Sequence, residues 1–293
     1  MVSVQNIYTD HFGMKGRAFS PMADARSFYW SGTHARAQAA LDYGLMSGAA
    51  FTVLSGAPGT GKTSLLLHLM DTAEERLQFA MVRMPHAGVE GLSGWILQAL
   101  GRDANADQPE IARYTALRET LINTYAEGGS TVLILDDAQD LTDGAMHELL
   151  RLTDLNTAQD QIVQIILSGH PPLLARLQSD THVALNQRIT ARAHLDPLFA
   201  EDVGHYVTKR LADVEGPWDL FSHQAVAAIE KLTHGVPRLI NHLCELSLVY
   251  LMTTDKPQVS TGLVQQIIAD GRFVSPTTGK RSHLKVAVPG GMA

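Results

Sequence analysis

Gly56, Ala57, Pro58, Gly59, Thr60, Gly61, Lys62 and Thr63 fit the spacing GxxxxGK[ST] without a gap. Glycines at these positions let successive backbone N–H groups turn inward and cradle a phosphate. Lys62 is then expected to reach the β- and γ-phosphates of a nucleotide, and Thr63 to place its hydroxyl on Mg2+. A helix running on from Ser64 adds its positive end beneath the same phosphates. Further along, the apolar run Val132-Leu-Ile-Leu135 ends in two carboxylates, Asp136 and Asp137. Parallel sheets gather ligands at the carboxyl ends of their strands, so both acids are expected to face the phosphate loop. Asp136 is expected to hold Mg2+ through water and Asp137 to orient or polarise the attacking water. Asp140 and Asp143 fit a solvated turn better. The stretch from Gln161 ends in Ser168 and His170. Either can touch the γ-phosphate or the attacking water as a sensor, and a plain strand exit capped by serine is the equal alternative for each.

The elements that must position these residues follow from hydrophobic period and punctuation. Helices are predicted over 35–46, 64–76, 92–100, 111–126, 146–155 and 172–178, and strands over 51–54, 77–84, 131–135, 161–167 and 189–195. Strands alternating with helices argue for βαβ units and a parallel sheet, an α/β class. After Asp196-Pro197 the strand signal stops, and four helices are predicted over 201–211, 222–233, 237–252 and 260–269. The expected organisation is an aromatic-rich arm over 1–30 packing on the core, an αβα core over 31–196, a helical lid over 197–272 and a disordered tail over 273–293.

Composition narrows the function classes. The 293 residues are 45% hydrophobic and 18% charged, ordinary globular values. Lys plus Arg number 23 against 30 Asp plus Glu, a net charge of −7, which argues against coating nucleic acid by bulk charge while leaving a local patch open. Cys244 is the sole cysteine, which excludes an intrachain disulfide and a cysteine zinc cage. The 13 histidines are scattered without metal-binding spacing. There is no apolar signal-peptide core at the start and no run of about 18 apolar residues, so a cytoplasmic protein without a membrane span is expected.

These motifs resemble the AAA+ ATPases, and among them the ExeA-like (general secretion pathway protein A) group; transposition ATPases of the TniB and TnsC kind share much of the pattern. The resemblance runs from about residue 8 to 271. It is carried by His11-Phe-Gly-Met14, the phosphate loop, LDDAQ ending at Gln139, SGHPPLLARL ending at Leu177, LNQRITARAHLDPL ending at Leu198 and GVPRLINHLC ending at Cys244. It implies a five-stranded αβα core, a helical lid, and an ATP site at the junction of subunits in a ring or filament. It also implies an arginine finger given to the neighbouring subunit, for which Arg188 is preferred over Arg192, and a lid sensor arginine at Arg238. Arg238 is unusual on physical grounds too: it follows Pro237 in a helix's first turn, where a cation opposes the dipole. A reach back to the γ-phosphate would compensate. The group commonly has Glu where Asp137 stands; aspartate is one methylene shorter, so slow water activation is expected there. It commonly has Gln where His170 stands, a departure at that sensor position. Secretion-type members continue into a membrane span and a peptidoglycan-binding domain, neither of which is in this sequence.

The resulting expectation is an oligomeric ATP-hydrolysing motor or switch that acts on an unidentified protein partner in secretion or envelope export. The alternatives are a DNA-associated transposition-type regulator, which the net charge disfavours, and a nucleotide-switched scaffold with very slow turnover.

Overall fold

The computed structural model describes residues 8–20, 28–83, 91–103 and 107–274. The strands are β1 (Phe51–Gly56), β2 (Leu77–Arg83), β3 (Ser130–Asp136), β4 (Val163–Gly169) and β5 (Ile189–Leu195). They form one parallel sheet in the order β2-β3-β4-β1-β5. Interior strands read as continuous apolar runs because helices cover both faces. Thus Thr131 to Leu135 are all buried, whereas edge strand β5 alternates, burying Ala191, Ala193 and Leu195.

Side chains alternate across a strand, so neighbours in sequence enter different cores. Leu133 and Leu135 join one apolar cluster with Leu117, Leu121 and Met146, while Val132 and Ile134 join another with Leu41, Leu65 and Leu66. The first face is covered by α4 (Leu92–Ala99), α5 (Glu110–Ala126), α6 (Asp143–Leu152) and α7 (Pro171–Leu177). The second is covered by α2 (Gly32–Met46) and α3 (Lys62–Thr72). Two short helices were not expected: α1 (Thr9–Phe12) and α8 (Val183–Gln187). Helix α6 starts earlier than its apolar period suggests, because Thr142 caps it by accepting from the Ala145 N–H at 3.1 Å. Asp143 therefore opens a helix rather than lying in a turn, and accepts from Arg176 at 2.6 Å.

Between Leu195 and Val274 the regular structure is helical: α9 (Ala200–Ala212), α10 (His223–Thr233), α11 (Pro237–Met252) and α12 (Thr261–Ala269). Ser222 and Ser260 cap α10 and α12, their side chains accepting from the Ala225 and Leu263 N–H groups. These helices bury a separate cluster that includes Val203, Ile229, Leu243, Cys244 and Ile267. Burial pushes the Cys244 thiol pKa up, so it behaves as an inert apolar group. The N-terminal arm divides between the two regions: Phe28 packs against the sheet's cluster of Leu41, Leu65 and Leu66. Tyr8, Met14, Ala18 and Phe19 bury in the helical cluster, not in the sheet's cores. The helices have no sheet beneath them, and the arm's aromatics complete their apolar surface. Polar clasps fix it: Arg210 Nε donates to the Ala18 carbonyl at 2.7 Å, and Arg17 Nε donates to Glu245 at 2.6 Å. The expected tail over 273–293 lies outside the described residues apart from Phe273 and Val274, of which Phe273 is buried.

Candidate functional site

Strand β1 stops at Gly56 and α3 begins at Lys62, so residues 56–61 bridge the sheet to a helix N-terminus. Gly59 and Gly61 have φ of +81° and +106°, which side-chain-bearing residues rarely adopt. The loop is also enclosed. A Cβ at Gly59 would lie 2.7 Å from Arg238 Cβ, and one at Gly56 would lie 2.6 Å from the Leu195 carbonyl. Lys62 is buried, with Nζ donating to the Gly56 and Ala57 carbonyls at 3.0 and 3.1 Å and lying 3.2 Å from His170 Nδ1. Burial lowers its pKa, partly offset by the charges of Asp136 and Asp137.

The sheet register supplies the acid. Leu135 pairs with Leu167, so Asp136 emerges beside Ser168, and Ser55 pairs with Gly169 on the other side of β4. Asp136 is 1% exposed and fully engaged: Oδ2 accepts from Thr63 Oγ1 at 2.6 Å, and Oδ1 accepts from Ser168 Oγ at 2.8 Å and the Asp137 N–H at 3.2 Å. Asp137 has left-handed φ of +58°, accepts from Gln139 Nε2 at 3.3 Å, and has its Oδ1 3.6 Å from His170 Nε2.

A cavity of about 620 Å3 joins these groups to the helical region. Its walls include Gly59 to Ser64, Asp136, Asp137, Gln139 and His170 from the core, and Tyr206, Arg210, Arg238 and Asn241 from α9 and α11. The Arg238 backbone N–H donates to the Gly59 carbonyl at 3.2 Å, which locks the start of α11 onto the loop. His34, from α2, stands behind Gly61, with Nδ1 2.7 Å from Ser31 Oγ. Desolvation lowers the His34 pKa to about 4, against an opposing hydrogen bond to the Thr60 backbone, so the ring is neutral at pH 7.

The structure sorts the residues expected from sequence. Gly59, Thr60, Gly61, Lys62, Thr63, Ser64, Asp136, Asp137, His170 and Arg238 all line the cavity. Gly56, Ala57 and Pro58 form the loop's entry, with two carbonyls turned to Lys62. Ser168 is fully buried behind Asp136, so of the two sensor candidates only His170 reaches the cavity wall. Arg188 and Arg192 are not brought to it. Arg188 Nη1 donates to Thr153 Oγ1 and Asp154 Oδ1, each at 2.7 Å, and Arg192 Nη2 donates to Asn186 Oδ1 at 2.6 Å. Sequence reasoning missed His34, Tyr206, Arg210 and Asn241, which lie on helices whose apolar period carries no sign of a ligand.

The residues fit a magnesium nucleotide. The loop leaves no room for side chains at Gly56 and Gly59, and Lys62 is already desolvated and oriented by carbonyls. Thr63 and Asp136 offer hard oxygen donors. Among the described residues no group of three His, Cys, Asp or Glu forms an all-protein cage.

Comparison with known proteins agrees. Residues 45–177 match the family model described as AAA domain. General secretion pathway protein A of Aeromonas hydrophila is 30% identical over 286 residues, covering 98% of this chain and 52% of that protein. The chain thus spans about half the length of this curated relative. The fold is also that of CDC6P from Pyrobaculum aerophilum (TM-score 0.65, 16% identity, covering 86% of this chain and 70% of that one). The ORC2 protein of Aeropyrum pernix, solved as ADPNP-ADP complexes, is similar too (TM-score 0.62, 16% identity, 87% and 71% covered). Strand order, glycine-rich loop and family match converge on one fold: residues 45–177 match the AAA domain model, and the chain has the AAA+ P-loop architecture, with α9 to α12 as its helical part.

Proposed function

We propose that this protein binds ATP with Mg2+ in the cavity between sheet and helices, hydrolyses it slowly, and works as an oligomeric switch or motor on a protein partner. The observation that carries the reading is the convergence of Lys62, the Thr63–Asp136 pair and the Arg238 end of α11 on one cavity. Lys62 and the loop's N–H groups bind phosphate oxygens. Thr63 and Asp136 hold Mg2+, which when bound neutralises charge on the phosphates. Asp137 holds the attacking water, with a side chain one methylene shorter than the glutamate common in the resembling group. Arg238, at the start of α11, makes the position of the helical part depend on what occupies the loop.

Arg188 and Arg192 lie outside the cavity of their own subunit, which supports a role towards a neighbouring copy. Similarity to general secretion pathway protein A over nearly the whole chain favours a partner in secretion or envelope export. A cytoplasmic location is part of the proposal; among the described residues no helix is long and apolar enough to cross a membrane.

The test is ATP turnover across protein concentration, with mixed variants. Specific activity should rise as subunits assemble, and mixing Lys62→Ala with Arg188→Ala copies should restore turnover that neither shows alone. Turnover per subunit that is independent of concentration would refute the shared site. ATP-dependent retention of duplex DNA in a filter assay would favour the DNA-associated reading instead.

A further inference from the structure

Gln139 lies in the 3-10 turn Ala138–Asp140, between the ends of β3 and β4. Its Oε1 accepts from the His170 N–H at 3.0 Å, and its Nε2 donates to Asp137 Oδ1 at 3.3 Å and Asp140 Oδ2 at 3.1 Å. The orientation of the amide is determined by its neighbours. A backbone N–H can only donate, so the oxygen must face His170 and the NH2 must face the two carboxylates.

Two further features hold this arrangement. At Gly169 a Cβ would come within 2.8 Å of Gln139 Oε1, so the end of β4 leaves room for the amide. Arg176 Nη1 donates to the Gln139 carbonyl at 2.9 Å and the Leu141 carbonyl at 2.7 Å, fixing the turn from below. Asp137 itself sits at φ of +58°, in the left-handed region that aspartate enters more readily than most residues with a side chain. Such states persist where surrounding contacts determine them.

We propose that Gln139 is a positioning residue for Asp137. Its amide aims the Asp137 carboxylate into the cavity and ties it to the β4 end that carries His170, so the two polar groups beside Lys62 move together. The proposal rests on the reading that Asp137 holds the attacking water. Gln139 acts through Asp137 and needs no contact with the nucleotide.

The experiment compares Gln139→Glu, which keeps the shape but replaces the donor by a like charge, with Gln139→Met, which removes the donor without adding charge. Each is made in the wild type and in Asp137→Asn. Mispositioning a catalytic group by about 1 Å costs up to ~100-fold in rate. Both variants should therefore lower kcat by about 10- to 100-fold while ATP affinity stays within about threefold. In the Asp137→Asn background the further loss should be under about threefold, because the group being positioned is gone. An unchanged kcat in both variants, or an equal loss in both backgrounds, would overturn the assignment and leave the ATPase reading intact. Wild-type protein that binds ATP but shows no turnover at any concentration would overturn the hydrolysis reading and this one with it.

Discussion

Removing the Lys62 ammonium tests the phosphate loop most directly. In the folded protein Nζ is already buried and held by the carbonyls of Gly56 and Ala57, with His170 Nδ1 3.2 Å away. Binding therefore incurs little additional desolvation or side-chain ordering. A unit-charge pair ~4 Å apart at an effective dielectric of ~20 is worth about 4 kcal/mol, and hydrogen bonds to charged groups contribute ~1.5–3 kcal/mol net. A loss of about 3 kcal/mol lowers ATP affinity by about 100-fold, at ~1.4 kcal/mol per tenfold. Lys62→Met retains most of the buried stem, so the fold should persist; a thermal melt checks this. Affinity is measured by calorimetry for ATP, ADP and AMP. Because Lys62 is assigned to the β- and γ-phosphates, ATP and ADP should weaken strongly and AMP should hardly change. ATP affinity within about threefold of wild type, in folded Lys62→Met protein, would refute the assignment. Equal weakening of ATP and AMP would show that Lys62 acts by shaping the loop.

Two more outcomes follow from the same site. The folded His34 has a pKa near 4 against 6.5 for the free group, so between these values the unfolded chain binds more protons. The stability that neutral His34 contributes is complete above pH 6.5 and is lost as pH falls towards 4, about 3 kcal/mol in all at ~1.36 kcal/mol per pH unit. Chemical denaturation at stepped pH should show a shallower fall for His34→Gln than for the wild type, and equal slopes would discard the buried neutral histidine. Asp137→Glu should raise kcat by about tenfold with ATP affinity unchanged, as the longer side chain brings the carboxylate nearer the water, a gain within the ~10²–10⁴ range of general-base catalysis. A fall in steady-state turnover would show that Gln139 and His170 have set this site for aspartate.

The sequence by itself determined the α/β class, the glycine-rich loop between the first strand and its helix, and the acid at the end of the third strand. Those features depend on local causes. Glycines at 59 and 61 are demanded by positive φ, the unbroken run 131–135 by burial on both faces, and the place of Asp136 by the end of that run. The sensor alternatives were different. Ser168 and His170 are two residues apart, and only the β3–β4 register shows that Ser168 holds Asp136 while His170 lines the cavity. The burial of Tyr8 and Phe19 was legible from the aromatic content of their segment, but not which core they enter, because apolar side chains do not specify it. His34, Tyr206, Arg210 and Asn241 come from three helices far apart in the chain, and nothing in the period of an amphipathic helix marks which polar residue will face a cleft. Gln139 stood in a quoted motif, yet its role depends on a backbone N–H from another strand. Tertiary structure decided these because a hydrogen bond between distant segments depends on how the sheet and helices pack, and local sequence rules do not encode that packing.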